Sequence, residues 1–147
     1  MHSSFKPLTG IKVVDVSHVI AGPFATLHLA QLGADVLKIE NVNGGDVMRR
    51  GARGAKAFAA LNAGKRKAAV DIATAEGREQ ILALAKEADI FVDNLRPGVM
   101  DAKGLGFEAV KAINPRIIYC SISGFGRAAA GRPAAADAGR VAGRAGG

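Results

Sequence analysis

Residues Val13 to Glu40 hold a strand, a glycine-proline turn, a helix and a second strand within 28 positions. Ile11–Val16 is β-branched and apolar, the composition of a buried parallel strand. Gly22-Pro23 opens the helix: glycine permits a sharp turn, and proline sits where its missing N–H costs nothing. Gly33 takes the position just past the helix end, and Asp35–Ile39 returns as a strand. A right-handed βαβ unit puts the strand-to-helix turn at the carboxyl edge of the sheet, where open α/β sheets bind ligands. The turn His18 to Pro23 is therefore the first candidate for function.

Further strands are expected at Ala68–Ile72, Asp89–Asp93 and Arg116–Ser123. Thr74 is a suitable N-cap for a helix over Ala75–Glu87. Pro97 starts a short helix to Lys103, and Phe107–Ile113 forms another, stopped by Asn114-Pro115. The polar, glycine-rich stretch 41–57 reads as a long loop. Strands alternating with helices give the α/β class: a Rossmann-like, mostly parallel sheet with helices on both faces over residues 1–126. Residues 127–147 are nine Ala, five Gly, four Arg and three others, a low-complexity tail expected to be disordered. So abrupt a change is what a shifted reading frame or a truncated gene produces.

The single cysteine, Cys120, excludes an internal disulfide and suits a reducing cytoplasm; its apolar neighbours make it a small buried hydrophobe. No apolar run is long enough to span a membrane, and the start Met-His-Ser-Ser-Phe-Lys-Pro has no signal-peptide core, so neither membrane nor export is expected. Of the net charge of +7, residues 1–126 carry +4 and the tail +3. With one Tyr and no Trp, few aromatics can stack on bases. The balance suits a phosphate-bearing small molecule as well as a polymer, and nucleic acid is not expected because much of the excess lies in the tail.

The turns after the strands gather free backbone N–H groups on one edge, a ready site for phosphate. No G-x-G-x-x-G or P-loop pattern names a cofactor. His18 and His28 lie ten apart without a third ligand, so no metal site is expected. Asp15, Asp71 and Asp93, near strand ends, suit turn-capping better than acid–base work. Lys65-Arg66-Lys67 fits either a solvated run or a phosphate anchor.

The segments Leu8–Ser17, Ala21-Gly22-Pro23, Leu32–Glu40 and Gly44-Gly45-Asp46 strongly resemble the start of the family III CoA-transferases, the CaiB/BaiF family. So do Lys65-Arg66, Val70-Asp71, Glu76-Gly77, Asn94–Asp101, Gly104-Leu105-Gly106, Asn114–Tyr119 and Ser121–Gly126. The resemblance covers residues 7–126, roughly the opening third of a full member.

The resemblance implies a CoA-transferase that moves CoA between an acyl-CoA and a carboxylic acid, with no permanently bound cofactor. Related members racemise 2-methylacyl-CoAs, and a non-catalytic CoA- or nucleotide-binding module is a further alternative. It also implies an interlocked homodimer with CoA lying across the carboxyl edge. By position, Ile20, Ala21, Asn41, Val70, Asp71, Ile72, Ala73, Asn94, Leu95 and Arg96 match CoA-contacting residues, and His18 joins them by its place in the turn. Asn41 and Ala102 stand where an arginine is frequent. Losing such a contact costs about 1.5–3 kcal/mol, and Lys103, Arg96 or Arg66 are candidates to compensate. The family's catalytic aspartate lies downstream of Gly124-Phe125-Gly126, so no catalytic residue is assigned, Asp137 included. A domain cut here should leave apolar sheet surface uncovered.

Overall fold

Apolar β-branched runs alternate with amphipathic ones, and the chain folds accordingly. A computed structural model describes residues 5–124. Its elements in order are β1 (Lys12–Asp15), α1 (Ala21–Gln31), β2 (Asp35–Glu40), a 3-10 turn (Val47–Arg49), α2 (Ala52–Leu61), β3 (Arg66–Ala69), α3 (Ala75–Lys86), β4 (Ile90–Asp93), α4 (Val99–Ala102), α5 (Phe107–Ile113) and β5 (Ile118–Ser121). The strands form one sheet in the order β3-β2-β1-β4-β5, and every pairing is parallel. The order reverses direction at β1, which makes the carboxyl ends of β1 and β4 the switch point of the sheet.

Strand alternation divides the core in two. Val14, Val16, Ile39 and Phe91 pack with Ile81 and Ala85 of α3 and with Leu105 and Val110. Val13, Val36 and Val92 face the other way, against Leu29 and Ala30 of α1. Helices thus cover both faces, as expected. Thr74 caps α3 by accepting the Gly77 N–H at 3.0 Å. Gly33, at φ 101°, turns the chain out of α1, where its N–H reaches the Ala30 carbonyl at 3.0 Å.

Four expectations need correction. The stretch 41–57 is not all loop: Asp46 caps the 3-10 turn through the Met48 N–H, and α2 begins at Ala52. The alanines of 52–60 are strong helix formers that the surrounding glycines concealed. The third strand is Arg66–Ala69, not Ala68–Ile72, because backbone pairing to β2 (Leu37 opposite Arg66) sets it and its mostly exposed side chains carry little apolar signal. The last strand is shorter than Arg116–Ser123. Cys120 is exposed, not buried. Ile117 and Tyr119 point to the α5 side of β5, so Ile118 and Cys120 point to the opposite side, and α1 lies over β1, β2 and β4 instead. Ile118 is 62% exposed, an uncovered apolar position of the kind anticipated. The tail expected to be disordered, Asp137 included, lies outside the described residues.

Gly77 seats the first turn of α3 against the end of β3: a methyl group there would lie 1.9 Å from the Asp71 carbonyl oxygen. Gly77→Ala should therefore cost about 1–3 kcal/mol of stability, read from the urea midpoint at unchanged slope. An unshifted midpoint would show that the turn gives way freely.

Candidate functional site

β1 ends on Asp15, and the chain passes through 16–20 into α1. Gly22 allows this turn to fold back closely, since a methyl group there would sit 2.1 Å from the Ser17 Cβ. Asp15 is fully buried and accepts bonds from the Ser17 N–H at 2.9 Å and from the Ser17 and Thr26 hydroxyls. The Lys65 ammonium, also fully buried, reaches the Asp15 carboxylate at 3.2 Å. It also donates to the Pro23 carbonyl at 2.9 Å, Thr26 Oγ1 at 2.7 Å and Asn62 Oδ1 at 2.9 Å. A buried charge is tolerable only when paired and fully hydrogen-bonded, and this one is. Burial nonetheless lowers the Lys65 pKa, against the raising effect of Asp15.

A second buried pair lies beside the first. The Lys38 ammonium donates to the Ser17 carbonyl and stands 3.7 Å from the Asp46 carboxylate, with both side chains inaccessible to solvent. Asp46 accepts the Val19 N–H at 2.9 Å and donates its own N–H to Glu40 at 3.2 Å. Arg49 clamps the Glu40 carboxylate at 2.6 and 2.7 Å, which holds that carboxyl below its ordinary value. The Arg49 guanidinium in turn lies 4.0 Å from the Phe58 ring centre. From the switch point, Asn94 grips both backbone groups of His18: its amide donates to the His18 carbonyl and its oxygen accepts the His18 N–H, each at 2.7 Å.

Four of the sequence-predicted residues come together. His18, Asn41, Val70 and Ile72 line one small cavity, about 60 Å³, at the carboxyl ends of β1, β2 and β3, with Val16, Ile39 and Glu40 behind them. Ile20 and Ala21 are exposed at the start of α1 on the same edge but do not line it. Asn94 acts through His18 as described. Leu95 packs against the core, and Arg96 lines a separate cleft with Asp93 and Ser121. Asp71 accepts the Ala73 N–H at 2.9 Å, and Asp93 accepts the Leu95 N–H at 3.2 Å, so both brace turns. Burial raises the Asp93 pKa above the usual carboxylate value. Arg66 cannot compensate for the missing arginine: it pairs with Asp35 at the start of β2, the amino end of the sheet. Lys67 lies nearer, lining a cavity of about 390 Å³ with Asn41, Gly44 and Arg49. His28 is exposed, its ring edge-on to Phe24 at 4.6 Å. Among the described residues no group of His, Cys, Asp or Glu could hold a metal ion, and no helix is long and apolar enough to cross a membrane.

Lys38, Asp46 and the pairing of Lys65 with Asp15 were not anticipated. One signal was available: Lys38 interrupts an otherwise apolar central strand, Val36-Leu37-Lys38-Ile39, and such a lysine needs a buried partner. A larger cavity, about 630 Å³, lies between the sheet and α3, lined by Val14, Leu37, Ala68 and Leu84. Its rim charges already pair, Arg66 with Asp35 and Lys12 with Glu87, and of the four residues at the carboxyl-edge cavity it shares only Val70. It is a mostly apolar gap between sheet and helix rather than a polar site.

Two outcomes follow from this geometry. Lys65→Met leaves Asp15 buried and unpaired, which should cost about 3–5 kcal/mol, and adding Asp15→Asn should recover part of it in a urea-denaturation cycle. Full additivity would contradict the pairing. Burial first, and Lys38 second, push the His18 pKa below its ordinary 6.5. The unfolded chain then takes up this proton at higher pH than the folded one, so His18 costs stability as pH falls from about 6.5 through the folded-state value. His18→Gln should flatten the stability–pH slope in that window, and an unchanged slope would count against it.

Comparison with known proteins agrees with the fold. The profile of CoA-transferase family III matches residues 8–143, past Gly126, where the resemblance read from the sequence stopped. The chain is 42% identical over 130 residues to a human succinyl-CoA:glutarate CoA-transferase, covering 85% of this chain and 30% of that protein. It is 46% identical over 124 residues to a formyl-CoA:oxalate CoA-transferase of Escherichia coli, covering 81% and 30%. A CaiB/BaiF family protein from Brucella suis superposes with a TM-score of 0.76 at 44% identity, over 82% of this chain and 34% of that one. The chain thus spans about a third of the length of the relatives it matches. On the match over nearly its whole length, the chain belongs to CoA-transferase family III.

Proposed function

We propose that this chain forms the CoA-holding part of an acyl-CoA:carboxylate CoA-transferase. The observation that carries the reading is the convergence of His18, Asn41, Val70 and Ile72 on one cavity at the strand carboxyl ends. At about 60 Å³ this cavity takes only a small group of a nucleotide-bearing thioester, and the adjoining cavity of about 390 Å³, which shares Glu40 and Asn41, gives the rest of the molecule room. The relatives' names support acyl-CoA and a dicarboxylic acid as the exchanging pair.

The nucleophile belongs elsewhere in the full protein on this reading. A carboxylate that attacks a thioester must be free to approach its carbonyl carbon. Asp15, Asp46 and Glu40 are instead held by Lys65, Lys38 and Arg49. The chain then binds CoA and leaves acyl transfer to residues outside the described segment. A cytoplasmic, interlocked homodimer without a permanent cofactor completes the proposal for the full-length protein.

Titration calorimetry of CoA into the 147-residue chain tests this. Saturable binding is expected, weakened severalfold by Ile72→Asp, while no CoA passes from succinyl-CoA to glutarate. Absence of binding would contradict the reading, and measurable transfer would place the nucleophile within the chain. Asn41→Arg should tighten CoA binding by about tenfold or more, the effect of one charge-assisted phosphate contact.

A further inference from the structure

Val19 is the one non-glycine residue with positive φ among those described, at 65°. A β-branched side chain in that region is strained, and such a conformation persists only where its surroundings over-determine it. Here they do so from three sides. Asp46 takes the Val19 N–H at 2.9 Å. Lys38 holds the carbonyl of Ser17, two residues earlier. Asn94 fixes His18 between them through both of its backbone groups. Gly45 lets the loop come close enough to deliver Asp46, since a methyl group there would meet Glu40 at 2.7 Å.

The strain brings no burial in return. Val19 is 39% exposed and Ile20 55% exposed, so neither fills the core. A buried ion pair that served stability alone would have no need to hold an exposed valine in an unfavourable conformation. We infer that Asp46 and Lys38 are positioning residues: they lock the turn after β1 so that its backbone and the His18 ring face the carboxyl-edge cavity. The loop after β2 and the turn after β1 then move as one unit. The role assigned to the turn rests on the CoA-binding reading above, whereas the locking itself does not.

Four variants test this in the whole chain. In Asp46→Asn, hydrogen exchange read by mass spectrometry should rise over residues 17–21 while α3 and β4 keep their protection. Its CoA affinity should fall by about tenfold or more, the loss expected for a charge-assisted hydrogen bond. Adding Val19→Gly should return the affinity to within about threefold of the parent, because glycine adopts positive φ without strain. Asp35→Asn, at the opposite edge, should leave exchange over 17–21 unchanged. Unchanged exchange at the turn in Asp46→Asn, or no recovery on adding Val19→Gly, would overturn the inference. Should Asp46→Asn fail to fold, Val19→Gly alone decides. Relief of strain raises its thermal midpoint, whereas glycine at an unstrained position lowers it through chain entropy, and a lowered midpoint would overturn the inference. A parent chain that binds no CoA would refute the proposed function, leaving the exchange and melting results to judge the locking.

Discussion

Two lysine–aspartate pairs without solvent contact, Lys65 with Asp15 and Lys38 with Asp46, hold the carboxyl edge of this sheet together. Buried ion pairs are poor sources of net stability, because desolvation offsets most of the attraction. They are strong sources of geometry, because every remaining proton and lone pair must find a partner in a fixed direction. Lys65 meets that demand with four oxygens drawn from β1, α1 and the end of α2. Asp46 meets it with two backbone amides and a lysine. The chain around Ser17 to Pro23 has little freedom left.

This rigidity explains a division of labour at the edge. Of the carboxylates there, Asp15, Asp46 and Glu40 pair with Lys65, Lys38 and Arg49, and Asp71 and Asp93 brace turns through backbone amides. The cavity at that edge is lined by the His18 and Asn41 side chains, by Glu40 and by the apolar surfaces of Val70 and Ile72. Such a wall can bind and orient. Membership of CoA-transferase family III and coverage of only about a third of the relatives' length are consistent with a segment that holds CoA. A rigid turn is useful for that task, since ordering a loop on binding would be subtracted from affinity.

Much of this was legible in the residues. The βαβ unit stood out because β-branched runs, Gly22-Pro23 and Gly33 agree with one another at every level. The cavity-lining role of Asn41 and Ile72 came from family position, and that of His18 from its place after a parallel strand. The partners of Lys38 and Lys65 were not legible: Asp46, 8 positions from Lys38, is delivered by the loop after β2 folding back, and Asp15, 50 positions from Lys65, is brought near by the parallel register of the sheet. β3 was misplaced for a related reason: an edge strand with exposed basic side chains is specified by backbone pairing, which leaves no hydrophobic pattern. Cys120 looked buried because its neighbours are apolar, but only one side of β5 carries a helix.

Backbone amide chemical shifts followed during CoA titration would test the central claim most directly. The account predicts that the perturbed amides cluster at His18 to Ala21, Asn41 and Val70 to Ala73, with the Asp35–Arg66 end of the sheet silent. Perturbations confined to the large apolar cavity beside α3, or none at saturating CoA, would contradict it.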